Sequence, residues 1–239
     1  MIFAVPRRLA LSLIALCLAS GAASANEEHH AGGELEQARS IVHNLLKDNQ
    51  SYVKGHKAAY FAPIIKGQQP RATIVTCSDS RVHTHALDKT PDGDLFMVRD
   101  IGNQLATAEG SVEYGVRHLH TPVLMFIGHS SCGAVKAAMG DTSKLEPAIR
   151  KELDTLKVAG GNADDDKAVM ANVQSNVNKQ VDAALAKFAD AVKAGTLTVV
   201  GAVYDFRNDY KQGNGRLVLV NVNGATDAAA IKAAPVMRH

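Results

Sequence analysis

Residues 72–76 and 123–127 are uninterrupted runs of apolar and β-branched side chains, each broken off at once by small and polar residues. Strands of a parallel sheet read this way, because helices cover both faces and leave no side for polar residues. Between and after these runs the period lengthens. Helices are expected over 109–120, stopped before Pro122, over 132–139 beyond Gly128, and over 144–158 and 166–194. The last carries Met170, Val173, Val177, Val181, Leu185, Phe188 and Val192 at steps of three and four. Asp164, Asp165 and Asp166 stand where a helix start favours negative charge, and Gly195 closes the segment. Further strands are expected at 95–99, 197–205 and 216–221. Upstream, 34–47 has helical spacing, and a second short helix over 51–60 is expected to end at Pro63. Alternating strands and helices predict an α/β fold: a single domain with a mostly parallel central β-sheet flanked by helices. It should occupy 34–224, with 225–239 as an Ala-rich C-terminal tail of short helix or irregular chain.

The first 25 residues stand outside this pattern. Arg7 and Arg8 precede an apolar run over 9–19 that is too short to span a bilayer comfortably. Ala23-Ser24-Ala25 then fits the small-x-small rule for cleavage, with the cut between Ala25 and Asn26. Leu16 before Cys17 does not suit lipoprotein processing. We therefore expect 1–25 to be a signal peptide, 26–33 a flexible mature N-terminus, and the product to be periplasmic or secreted. Losing Arg7 and Arg8 takes the 26 basic residues to 24, equal to the 24 acidic ones. A neutral mature chain has no general attraction for nucleic acid or an anionic membrane, and neither partner is expected.

Cleavage also removes Cys17 and leaves Cys77 and Cys132. Two cysteines in an oxidising compartment read first as a disulfide. Their neighbours point elsewhere. Cys77-Ser78-Asp79-Ser80-Arg81 follows one apolar strand, and Gly128-His129-Ser130-Ser131-Cys132-Gly133 follows another. Ligand sites in open α/β sheets lie at the carboxyl ends of strands, so both motifs should emerge on one rim. Two thiolates and an imidazole select zinc over magnesium or calcium, and three protein ligands leave one exchangeable position. Asp79 can close that position as a fourth ligand or leave it to water. Arg81, two residues on, can grip the carboxylate bidentately and hold it off the metal.

Cys-x-Asp-x-Arg followed by His-x-x-Cys-Gly resembles the signature of the β-class carbonic anhydrases. Residues 96–103, 111–116 and 201–205 are similar to further family segments, so the resemblance runs from about Leu35 to Gly224. It implies reversible hydration of carbon dioxide to bicarbonate and a proton, with a zinc ion in each subunit. Cys77, His129 and Cys132 would be the ligands, Asp79 the switchable one, and zinc-bound hydroxide the nucleophile. The Asp79–Arg81 dyad would be catalytic, gating and orienting that hydroxide. The resemblance also implies a homodimer or dimer of dimers, with N-terminal helices packing on a dimer partner. Gln68, Phe96, Ile101, Tyr114 and the Gly133 amide would line the carbon dioxide pocket, with Gln68 and Tyr114 supplied by the partner subunit. Arg99 and Tyr204 match a subtype that binds bicarbonate beside its zinc, but Ile74 stands where that subtype has Trp. An open zinc site at neutral pH is therefore expected. Asp100 stands where the family often has Asn, and His83 or His85 could shuttle protons. Rival readings are hydrolysis of carbon disulfide or carbonyl sulfide on the same scaffold, zinc binding without catalysis, and a redox protein with a Cys77–Cys132 disulfide.

Overall fold

A computed structural model describes residues 33–238. The expected signal peptide, its expected cleavage site and all but Gly33 of the expected flexible N-terminus lie outside the described residues. The chain divides into two units at Pro63. The first holds α1 (Glu34–Gly55) and most of α2 (Ala58–Ile65). Glu34 and Glu36 sit in the first turn of α1 and Lys54 in its last, both favourable for the helix dipole. α1 continues without a break through 48–50, because no Gly or Pro interrupts it before Gly55. Leu35, Ile41, Val42, Leu45, Leu46 and Val53 lie exposed along it. α2 runs through Pro63 rather than ending there; so close to the helix end, Pro forfeits a single backbone bond.

From Ile64 onward the chain builds the expected α/β architecture. Its strands are β1 (Ala72–Cys77), β2 (Leu95–Asp100), β3 (Val123–His129), β4 (Thr198–Asp205) and β5 (Arg216–Val222), in the order β2-β1-β3-β4-β5. The pairings among β2, β1, β3 and β4 are parallel, and β5 joins the edge antiparallel with a bulge between Gly201 and Ala202. β1 is buried along its whole length, as its unbroken apolar run implies. The helices are α3 (Glu109–Glu113), α4 (Gly133–Ala138), α5 (Pro147–Leu153), α6 (Asp166–Lys187), α7 (Ala189–Lys193) and α8 (Ala228–Ala233). None of the described helices is long and apolar enough to cross a membrane.

Boundaries differ from expectation where tertiary contacts intervene. β3 passes through Gly128 to His129. A Cβ on Gly128 would lie 2.8 Å from methyls of Val173 and Val177, so this glycine marks a close helix approach rather than a strand end. The segment 109–120 starts as α3 and widens into a π-helical turn at Tyr114–His118. There Gly115 meets β1, and an added Cβ would fall 2.2 Å from Thr73 Oγ1. The segment 144–158 is helical only over α5, which Pro147 starts. The long helix breaks at Phe188 (φ −112°, ψ 30°), whose ring is fully buried, and resumes as α7. The C-terminal tail is ordered as α8, capped by Asp227, and a 3₁₀ turn at Pro235–Met237.

α6 lies across β3 and β4. Val169, Val173, Val177, Val181 and Ala184 form its buried face. Val177 Cγ1 would lie 2.7 Å from a Cβ on Gly201, with Asn221 Cβ at 3.0 Å. We expect Gly201→Ala to destabilise the protein by about 1–3 kcal/mol through overpacking. Combined with Val177→Ala, the loss in urea unfolding should be smaller than the sum of the two single losses.

Candidate metal centre

β1 and β3 are parallel neighbours, with Thr76 paired to Ile127. Their carboxyl ends therefore share one rim. Cys77 is the last residue of β1 and His129 the last of β3. Ser131 then takes a left-handed conformation (φ 52°), turning the chain so that Cys132 caps α4 beside them. The ligand atoms of Cys77, His129 and Cys132 all lie within 4.8 Å of one another, and all three residues are buried. Among the described residues both cysteines are free.

The donor set fits a metal. His129 Nδ1 is 2.9 Å from the Ser130 carbonyl. A carbonyl only accepts, so Nδ1 carries the proton and Nε2 keeps its lone pair. Nε2 is buried with no hydrogen-bond partner. Such an atom is costly unless something occupies its lone pair. Without a metal the two thiols titrate as a pair. The Cys132 thiol donating to Cys77 sulfur holds Cys77 far below the usual thiol range, with the Gly102 and Asp79 amides adding to the effect. The same contact, together with burial, pushes Cys132 up. Two cysteine sulfurs and an imidazole nitrogen gathered at one point form the soft, borderline set that zinc takes.

Asp79 stands at the edge of this set, Oδ2 3.8 Å from His129 Nε2. Arg81 grips it as a fork, Nε to Oδ1 at 2.8 Å and Nη2 to Oδ2 at 2.6 Å, and its backbone amide adds a third bond to Oδ1 at 3.0 Å. The Arg81 bonds hold the Asp79 carboxyl well below the usual carboxylate range. Arg81 Nη2 also donates to the Ser131 carbonyl, which ties the two motifs together.

Ile101 packs against the core cluster that contains Cys77 and Cys132, and Gly133 opens α4, exposed. Phe96 and Tyr114 meet at 5.9 Å between ring centroids, away from the cluster. Phe96 pairs with Thr73, four positions before the Cys77–Asp100 pair, or about 13 Å along the strand. Tyr114 is 46% exposed and stacks on His118. Gln68 is exposed in the connection between α2 and β1. His83 and His85 are exposed at a short helical turn, 6.2 Å apart. Thus the structure brings together Cys77, Asp79, Arg81, Ile101, His129, Cys132 and Gly133. It leaves Gln68, Phe96 and Tyr114 outside that group within one chain.

Other residues support the site. Arg99 donates to the Cys77 and Asp79 carbonyls, so its guanidinium shapes the backbone of the first motif. Asp100 accepts from the Gln104 amide and Thr107 hydroxyl, and burial pushes its carboxyl up to about 6. Asn176 on α6 donates to the Gly102 carbonyl, and Gln180 donates to Asn176 while accepting from the Leu105 amide. The Gly102 amide in turn faces Cys77 sulfur. The sequence carried a signal for this chain of bonds: Asn172, Asn176 and Gln180 recur every fourth residue beside the valine stripe of α6.

A sequence model of the carbonic anhydrase family ("Pro_CA: Carbonic anhydrase") matches residues 72–211, a span that includes both motifs. The chain belongs to the carbonic anhydrase family, in its β class. Carbonic anhydrase 2 of Mycobacterium tuberculosis (strain CDC 1551 / Oshkosh) is 30% identical over 175 residues, 67% of this chain and 84% of that protein. The carbonic anhydrase of Mycolicibacterium smegmatis is 31% identical over 153 residues, 60% of this chain and 74% of that protein. Among solved structures, the Coccomyxa β-carbonic anhydrase in complex with acetazolamide superposes with a TM-score of 0.63 at 25% identity, covering 80% of this chain and 90% of that one. A tetrameric β-carbonic anhydrase of Sordaria macrospora superposes with a TM-score of 0.65 at 24% identity, covering 76% and 98%.

In this carbonic anhydrase fold the outer bonds should tune metal affinity. Asn176→Ala is expected to weaken zinc binding by about 10–100-fold in chelator competition. Cys77→Ala, His129→Ala and Cys132→Ala should each lose more, and Asp79→Ala should retain the metal.

Proposed function

We propose that the protein is a zinc enzyme that hydrates carbon dioxide reversibly to bicarbonate and a proton. The observation that carries this is the buried Cys77, His129 and Cys132 cluster with a fork-bound Asp79 at its edge. Cys77, His129 and Cys132 would hold the zinc, which would supply Lewis acidity for activating water. The rest of the chemistry falls to side chains. Arg81 satisfies both Asp79 oxygens and so favours an open site, with Asp79 beside the donors rather than among them. Asp79 stays ionised and can accept a hydrogen bond at Oδ2, which faces His129 Nε2, and so orient the donor. Ile101 offers carbon dioxide an apolar wall, and the Gly133 amide, at a helix start with no intrahelical partner, offers an oxygen a donor. Storage of zinc alone would have no use for the Asp79–Arg81 pair.

A dimer completes the pocket in this reading. Gln68, Phe96 and Tyr114 lie apart from the cluster of their own chain and would line the site of a partner subunit. The exposed apolar stripe of α1 would cover part of that partner. Export is part of the same reading and rests on the order of basic, apolar and small residues over 1–25.

Stopped-flow hydration of carbon dioxide by metal-quantified mature protein tests the activity. The expected result is fast hydration with about one zinc per chain, reduced about 10²-fold or more in Asp79→Ala. Zinc at that level with no hydration at any pH would refute carbonic anhydrase activity and turn attention to carbon disulfide. For the assembly, Ile41→Asp with Leu45→Asp should convert dimers to monomers in sedimentation and lower activity; dimers that persist would exclude α1 from the interface.

A further inference from the structure

Phe206 directly follows β4, and the chain on both sides of it is tied to the metal site. Asp205 accepts hydrogen bonds from Ser130 Oγ and from the Asp209 and Tyr210 amides. Asn214 donates to the Phe206 carbonyl. Arg207 donates to Ser131 Oγ and pairs with Asp166 at the start of α6. The ring held between these anchors is partly buried and touches both parts of the site. Its centroid is 6.0 Å from that of the His129 imidazole, with the planes 28° apart. Arg81 Cζ lies 4.9 Å from the same centroid. Tyr204 packs edge-on against the ring at 5.8 Å.

The Arg81 side chain is 49% exposed. Its fork to Asp79 and its bond to the Ser131 carbonyl compete with water at this exposure, and the aromatic face adds a further hold on the guanidinium. If it swings away, the Asp79 carboxylate loses its fork and stands 3.8 Å from the His129 nitrogen that faces the metal position. The ring contact therefore bears on whether Asp79 stays paired with Arg81 or turns to the metal.

We propose that Phe206 is a positioning residue, its ring packed on the His129 imidazole and seating the Arg81 guanidinium so that Asp79 stays paired and off the metal. The inference rests on the zinc-site reading above and adds to it a residue outside both motifs. Leucine fills much of the same volume without a π face, whereas tyrosine keeps the face.

The test is a double-mutant cycle between Phe206→Leu and Arg81→Ala, read on metal-loaded protein in two ways: the visible spectrum with Co²⁺ as the probe, and kcat/KM for hydration with zinc. Phe206→Leu is expected to alter the cobalt spectrum and lower kcat/KM by about threefold to tenfold. Phe206→Tyr should preserve both, and Phe206→Leu should add nothing in the Arg81→Ala background. Should Phe206→Leu fail to fold, Phe206→Met replaces it. A wild-type spectrum and rate in Phe206→Leu overturns the proposal, as does an equal effect with and without Arg81. Because the cobalt spectrum does not depend on turnover, spectral coupling in a protein that fails to hydrate carbon dioxide would support the role of Phe206 while refuting the activity.

Discussion

Everything at the site depends on the parallel pairing of β1 with β3. Parallel neighbours present their carboxyl ends on the same side of a sheet, so Cys77 and His129 finish next to each other although far apart in the chain. A shift of β1 by one residue against β3 would turn Cys77 to the other face of the sheet relative to His129. The register is held by burial. β1 is enclosed along its length and the second half of β3 is enclosed as well, so no slipped pairing keeps the same apolar surface out of water. The left-handed Ser131 then returns Cys132 to the same point.

Around this frame the protein spends buried polar groups that a purely stabilising core would omit. Asn176 and Gln180 face inward from α6, and Asp205 is fully buried beneath the Ser130 hydroxyl. Each is hydrogen-bonded, so each is tolerated: Asn176 to the Gly102 carbonyl, Gln180 to Asn176 and the Leu105 amide, and Asp205 to the hydroxyl of Ser130, the residue after His129. His129 Nε2 has no partner, and neither do Thr76 Oγ1 and Asn103 Nδ2 nearby. Of these three atoms only the His129 nitrogen stands among the ligand atoms of Cys77 and Cys132, where a metal would take its lone pair. Arg99 illustrates how context assigns roles. It matched an anion-binding position in the sequence, yet its guanidinium is engaged with the Cys77 and Asp79 carbonyls and serves the geometry of the first motif.

Much of this was readable from the residues. Uninterrupted apolar runs gave the buried parallel strands, and the three- and four-residue steps of α6 gave its buried face. The spacing of Asp79 and Arg81 gave their fork, because a guanidinium two residues away reaches both carboxylate oxygens. Element ends were read less well. Gly128 looks like punctuation in one dimension and is a close helix contact in three, and Phe188 breaks a helix whose periodicity continues on both sides.

Local residue types and their spacing determined the fold class and pointed to a metal-binding donor set, and the two motifs carried the resemblance to the family, because these depend on side-chain character and on periodicities of a few residues. Three-dimensional packing settled which groups share a volume. It separated Phe96 and Tyr114 from the cluster of their own chain, recruited Asn176, Gln180 and Phe206 to it, and left the Nε2 lone pair of His129 unmet. No short-range pattern encodes such meetings. They arise from sheet register and helix placement, which join residues distant in the chain and are set by the burial of the whole core.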